Sequence, residues 1–156
     1  MTSPTPSPRT VSNTSCLIAL ESIGQLALLH RLYQEVLIPH AVANEWGMPP
    51  PPWLKVQEIK DHALAQSLRL QLGPGEAQAI TLAIEVGADR LILDDQRARR
   101  IATTLNVSLT GTIGVILRAK QVGIIPLVRA IFDDLQKAGL WLADALSKEA
   151  LRLAGE

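Results

Sequence analysis

The chain has 156 residues, enough for one domain with a sizeable core. Hydrophobic residues make up 47% and aromatic residues only 3%, so Leu, Ile, Val and Ala must fill the interior. Fifteen basic and fifteen acidic residues cancel, which excludes a global field for nucleic acid and leaves only a local patch. The single cysteine, Cys16, excludes an intramolecular disulfide framework and fits a reducing compartment. It sits in an apolar run and reads as a core thiol. No stretch is long and apolar enough to span a membrane. The expectation is a soluble, cytoplasmic protein.

Residues 1–8 are rich in Pro, Ser and Thr with no apolar segment, so they read as a disordered tail rather than a signal peptide. Residues 9–156 are expected to form one domain. Residues 9–12 predict a first strand ending at Asn13. Thr14 or Ser15 can cap a short helix through Leu20, with Gly24 as its stop. Leu26, Leu29, Leu32 and Tyr33 recur at helical spacing. Val36, Leu37 and Ile38 make a short strand, and Pro39 suits the first turn of a helix over 40–46. Gly47 and the prolines at 49–52 end that helix in a stiff connection. Such a run also resembles a signalling-domain ligand, but a rigid loop is the simpler reading.

Residues 55–59 predict a minor edge strand. Gly73, Pro74 and Gly75 read as a turn launching a helix over 76–86. Leu91, Ile92 and Leu93 form an uninterrupted aliphatic run, the pattern of a strand buried on both faces. A helix over 96–105 and a strand over 107–109 follow, the latter ending at Thr110, Gly111 and Thr112. Residues 113–121 predict a helix, with Gly123 past its end. Pro126 opens another helix to about Ala138. A last helix over 144–153 presents Leu142, Ala145, Leu146, Ala150 and Leu153, expected to pack on the body or on a second copy. Strands alternating with helices predict a parallel sheet covered on both sides, a three-layer α/β/α fold.

Ligands in such sheets bind beyond the carboxyl ends of the strands. Asn13 and Ser15 follow the first strand, Asp94 and Asp95 a central one, and Thr110 and Thr112 the last. Glu45 lies in the helix after the second strand and Glu76 at a helix start. One Asp suffices to cap the helix at Gln96; the second adds like-charge repulsion and asks for a cation. Oxygen donors of these kinds suit Mg²⁺ or Mn²⁺, ions that steady phosphodiester displacement. His30, His40 and His62 are scattered, so zinc is not expected. Each residue also has a plainer reading. Glu76 would favour a helix dipole, Glu45 would be a solvated carboxylate, and the threonines would be caps. Arg97, Arg99 and Arg100 would be an ordinary wet face or a phosphate contact.

The order of these motifs resembles the PIN-domain family. Ser12-Asn13-Thr14-Ser15-Cys16-Leu17-Ile18, then Ile38-Pro39 with Val42 and Glu45, is similar to its opening half. Leu72-Gly73-Pro74-Gly75-Glu76-Ala77-Gln78-Ala79-Ile80, then Leu91-Ile92-Leu93-Asp94-Asp95-Gln96-Arg97-Ala98-Arg99, is similar to its second half, and Thr110-Gly111-Thr112-Ile113-Gly114 fits its ending. The match spans about residues 9 to 125, and its tail is similar to a branch related to VapC-type toxins. The resemblance implies a metal-dependent ribonuclease, often dimeric and often neutralised by a small antitoxin partner.

Carried across by position, the resemblance makes Glu45, Glu76 and Asp95 the acidic metal-site residues, with Asp94 as adjunct and Ser15 as a hydroxyl neighbour. Asn13 stands where most PIN domains carry a first-strand aspartate, which removes one negative charge. The expected activity is a Mg²⁺- or Mn²⁺-dependent endoribonuclease acting as a toxin, with Glu76 and Asp95 holding the ion, Glu45 completing the shell, and Arg97 or Arg99 meeting RNA phosphate. Two alternatives stand beside it. One is a PIN scaffold with a weakened site that dimerises or binds without cutting, favoured by Asn13. The other is a phosphoacceptor receiver domain, but there the acidic pair should follow the first strand, and here it lies past mid-chain.

Overall fold

The computed structural model describes residues 9–140 and 142–156; the tail expected over 1–8 lies outside the described residues. Five parallel strands form the sheet: β1 (Thr10–Ser12), β2 (Val36–Ile38), β3 (Leu54–Val56), β4 (Arg90–Ile92) and β5 (Leu109–Thr110). Their spatial order is β3-β2-β1-β4-β5. The register places Val11 opposite Leu37, and Thr10, Val11 and Ser12 opposite Arg90, Leu91 and Ile92. Central β1 and β4 are almost wholly shielded from water, which explains the unbroken aliphatic run at Leu91.

Helices cover both faces, as the three-layer α/β/α expectation requires. They are α1 (Thr14–Ser22), α2 (Ala27–Tyr33), α3 (His40–Trp46), α4 (His62–Leu68), α5 (Pro74–Val86), α6 (Gln96–Thr104), α7 (Thr112–Gln121), α8 (Val128–Lys137) and α9 (Asp144–Leu153). Helix α5 packs against α3, α4, β1 and β4, while α7 gathers α1, α2, α8 and α9. The core is mainly aliphatic, with Leu17, Leu20, Leu29, Ile80, Leu82 and Ile116 fully buried and Tyr33, Trp46 and Phe132 as its aromatic members. Among the described residues no helix is long and apolar enough to cross a membrane.

Several boundaries differ from the sequence reading, each for a local reason. Helix α4 was not foreseen: only Leu64, Ala65 and Leu68 turn inward, too few for a visible period. It is set instead by polar contacts, with Asp61 capping Leu64 N–H at 2.9 Å and Glu85 accepting the Lys60 and Asp61 N–H groups. Helix α5 begins at Pro74, so the expected turn is its first turn. Helix α8 begins at Val128, after an extended Leu127, leaving Pro126 in the loop. Strand β3 occupies Leu54–Val56 rather than 55–59, being paired on one side only. Strand β5 sits at Leu109–Thr110 rather than 107–109, because Leu91 N–H bonds to Ser108 O and Leu93 N–H to Thr110 O.

Helix α9 docks by only part of the expected face. Ala150 is buried, and Leu142, Leu151 and Ala154 rest against the core. Leu146 and Leu153 are 53% and 61% exposed. A carboxylate fastens the helix end. Glu156 accepts hydrogen bonds from Val128 N–H at 2.7 Å and Arg129 N–H at 3.1 Å, and pairs with Lys120 Nζ at 2.8 Å. Lys120 and those amides hold its pKa down at about 2, well below the usual 4.5. A depressed folded value means that the contribution is present above pH 4.5 and is lost as pH falls towards about 2. Glu156→Gln should therefore lower the melting temperature at pH 7 and leave it nearly unchanged at pH 2. Thermal melts of both proteins across that range check this; equal melts at pH 7 would show that the latch carries no stability.

Candidate functional site

The chain runs from β1 outward through β2 to β3, then returns to lay β4 and β5 on the other side of β1. Where the winding reverses, connections leave the carboxyl ends of neighbouring strands in opposite directions and open a crevice. That point lies between β1 and β4. Asn13 follows β1 and is locked to β4, its N–H donating to Ile92 O at 3.0 Å. Asp94 and Asp95 leave the end of β4 two residues further on.

Three acidic residues are brought to this crevice by separate elements. Asp95 is the N-cap of α6, accepting from Ala98 N–H at 2.9 Å through one oxygen. Glu76 lies in the first turn of α5, within hydrogen-bonding reach of Asp95. Glu45, on α3, accepts from Thr14 Oγ1 at 2.6 Å and from Gly75 N–H at 2.9 Å. The absence of a side chain at Gly75 makes room for this contact: a Cβ there would displace the Glu45 carboxylate. The helix start that carries Glu76 thus also holds Glu45.

The electrostatics are those of crowded carboxylates. Burial pushes the Glu76 acid upward, and the Asp95 carboxylate beside it adds to the shift, with Glu45 as a smaller contributor; the Gly73 N–H opposes them. Glu76 Oε2 and Asn13 Oδ1 are both buried and have no hydrogen-bond partner within the protein. Buried polar atoms normally find one. Two orphaned oxygens beside excess negative charge fit a hard cation in kind. Among the described residues, however, no three His, Cys, Asp or Glu side chains stand close enough to hold a metal ion as they are arranged.

The other expected residues divide by what they touch. Asp94 is engaged by α7: it accepts Thr112 N–H at 2.8 Å and Thr112 Oγ1 at 2.5 Å, pinning the start of α7 to the end of β4. Arg99 Nη1 donates to Leu93 O at 2.6 Å, and Gly111 is packed so closely to Asp94 and Arg99 that a Cβ would press on both. Thr110 Oγ1 lies against Gly114. Arg97 is exposed, as is Ser15 at the start of α1. The hydroxyl that reaches an acidic residue is that of Thr14. Burial pushes the Cys16 thiol up to about 12, so it is no nucleophile at neutral pH. Thr14, Gly75 and Gly111 escaped the sequence reading, since small residues at helix starts look like caps or turns. Gly75 inside a helical first turn was the available signal.

Two outcomes follow from this geometry. Thr112→Val removes a hydroxyl from a carboxylate and should cost roughly 1.5–3 kcal/mol, read as a lower midpoint in urea denaturation; an unchanged midpoint would show that the Asp94 pin is slack. Glu76 has the opposite pH sense to Glu156. Its raised folded pKa favours folding below the usual 4.5, and that contribution disappears as pH rises through the folded value. In chelator at neutral pH, Glu76→Gln should therefore raise the melting temperature. A drop would mean that the ionised carboxylate is a structural contact and not a crowded charge.

No curated protein matches the chain. The profile of a family described as a PIN domain matches residues 9–156. Proteins of that kind are generally nucleases and typically use divalent metals. With a parallel sheet that reverses its winding at β1 and acidic residues collected beyond it, the chain belongs to the PIN-domain family.

Proposed function

We propose that this chain, with residues 9–156 working as one domain, is a Mg²⁺- or Mn²⁺-dependent endoribonuclease, the toxin of a toxin–antitoxin pair related to VapC-type toxins. The observation that carries the reading is the pair Glu76 and Asp95, drawn from α5 and the start of α6 into hydrogen-bonding reach with the Glu76 pKa raised. Two carboxylates brought together with no ion pair to a base among the described residues repel each other, and a cation between them would relieve that, which supports the reading. Glu76 and Asp95 would hold the ion, with Asn13 Oδ1 and Glu45 at its margin. Each Glu45 oxygen accepts one hydrogen bond and keeps a further lone pair. A bound divalent ion supplies charge for the phosphoryl oxygens and a more acidic water.

The chain's own residues do the rest. Thr14 and Gly75 orient Glu45, and Ala98 N–H orients Asp95. Asp94 and Thr112 fix the floor of the crevice. The exposed guanidinium of Arg97 is free to meet RNA phosphate, whereas Arg99 gives one donor to Leu93 O. The protein works in the reducing cytoplasm as a homodimer, restrained by a small antitoxin protein.

The second reading, a PIN scaffold that binds without cutting, is favoured by two observations. Asn13 brings no charge, and among the described residues no ready-made three-acid cluster exists. Calorimetric titration of Mn²⁺ with a fluorogenic RNA assay separates the two. Asp95→Asn should weaken Mn²⁺ by at least roughly tenfold and abolish cleavage. Asn13→Asp should tighten Mn²⁺ and preserve or raise cleavage. RNA binding without cleavage, indifferent to Mn²⁺ and to both substitutions, would sink the nuclease reading and install the binding module.

A further inference from the structure

A cavity of about 430 Å³ opens among the start of α6, β5 and the start of α7, with Leu146 of α9 on its border. That volume is within the usual size of small-molecule sites. Leu109, Ile113 and the half-exposed Leu146 give it an apolar wall. Among the described residues its lining carries two charged side chains, Asp94 and Arg99. Both approach Gly111: Asp94 Oδ1 and Arg99 Nη1 lie 2.8 and 3.4 Å from the point that a Cβ there would take. The two nevertheless form no ion pair with each other. Each Asp94 oxygen accepts one hydrogen bond from Thr112 and keeps a further lone pair. Arg99 gives one N–H to Leu93 O, one of its five donors. Asp94 is exposed and Arg99 half-buried, so acceptor and donor capacity stand open beside one side-chain-free backbone position.

One negative and one positive group leave the cavity without net charge. A phosphate would meet Asp94 and an ammonium would meet Arg99, and like-charge contact is costly. The chemistry suits a neutral molecule with an apolar body and both donors and acceptors on its edge. Asp94 directly precedes Asp95 in the chain, so a strand whose phosphate lies at the acidic crevice has such a molecule at hand in its own nucleobase. An ionised carboxylate only accepts and a guanidinium only donates. Guanine answers both: N1–H and the 2-amino group form an adjacent donor pair, and O6 and N7 are the commonest arginine target. Adenine, cytosine and uracil have no such adjacent pair of donors. We propose that this cavity is a base subsite that selects guanine, with Asp94 reading N1–H and the 2-amino group, Arg99 reading O6 or N7, and Leu146 covering the ring. The substrate class rests on the nuclease reading; the base preference is tested by binding alone.

The test is NMR titration of the full chain, in chelator, with GMP, AMP, CMP, UMP and IMP, following the Gly111 and Leu146 amides. All five carry the same phosphate, so differences among them report the base. The expected result is a saturable shift with GMP at a Kd of about 1 mM or tighter, roughly tenfold or more below those of AMP, CMP and UMP. IMP, which lacks only the 2-amino group, should bind several-fold more weakly than GMP. Leu146→Ala, a change at an exposed position, should weaken GMP several-fold. Arg99→Lys, which loses the planar fork, should cut the preference for GMP over AMP to under roughly threefold. Equal affinities for the five nucleotides, or no saturable shift with GMP, would overturn the proposal. Full GMP affinity in Leu146→Ala would also overturn it, since the base would then lie elsewhere. Chelator keeps this result apart from cleavage. A GMP preference in a chain that cuts no RNA with Mn²⁺ would sink the nuclease reading and leave the subsite standing, whereas cleavage with equal affinities would do the reverse.

Discussion

Every feature of the acidic crevice depends on one pairing, that of β1 with β4. The two strands are separated by most of the first half of the chain, yet their six facing residues are almost wholly buried in register. This fixes Asn13 against Ile92 by a backbone hydrogen bond and sets the acidic pair two residues beyond. A slip of one residue would turn Leu91 from one face of the sheet to the other and move Asp95 with it. Because the winding reverses at this pair, the crevice is a consequence of topology, and side chains need only furnish it.

Furnishing it with carboxylates creates repulsion, which the fold contains through donors that belong to helix starts. Asp95 is held by the first turn of α6, and Glu45 by Thr14 in α1 and Gly75 in α5. Asp94 is turned aside by the start of α7. Unsatisfied N–H groups at helix starts favour anions, so the same geometry that frames the crevice partly neutralises it. Glu76 is relieved least. Its Oε2 is buried without a partner, and burial and Asp95 raise its pKa despite the Gly73 N–H. The unbalanced charge is thereby focused on the Glu76–Asp95 pair.

The sequence showed the sheet and the order of its motifs because those rest on long aliphatic runs and on turn residues with few alternatives. Leu91, Ile92 and Leu93 could be little else than a buried strand. What it hid were features that depend on which residue faces which. Asp94 and Asp95 are adjacent and chemically identical, yet one caps α6 towards the crevice and the other binds Thr112 across β5; only the backbone direction after β4 separates them. Leu146 and Leu153 continue the helical stripe of Leu142 and Ala150, yet only the latter two pack inward, with Leu151 and Ala154 beside them. Helix α4 buries so little that its cap, Asp61, and the distant Glu85 define it better than its apolar residues do.

The charge arrangement bears on how a polyanion would reach the proposed nuclease site. The chain has no net charge, so nothing draws RNA from beyond the Debye length, about 8 Å at physiological ionic strength. At closer range, Glu76, Asp95 and Glu45 repel phosphate. On the proposed reading a cation must therefore precede the RNA, converting the crevice from repulsive to attractive. Arg97 and Arg100, exposed on α6 just beyond Asp95, can then hold the backbone on either side of the reacting phosphate.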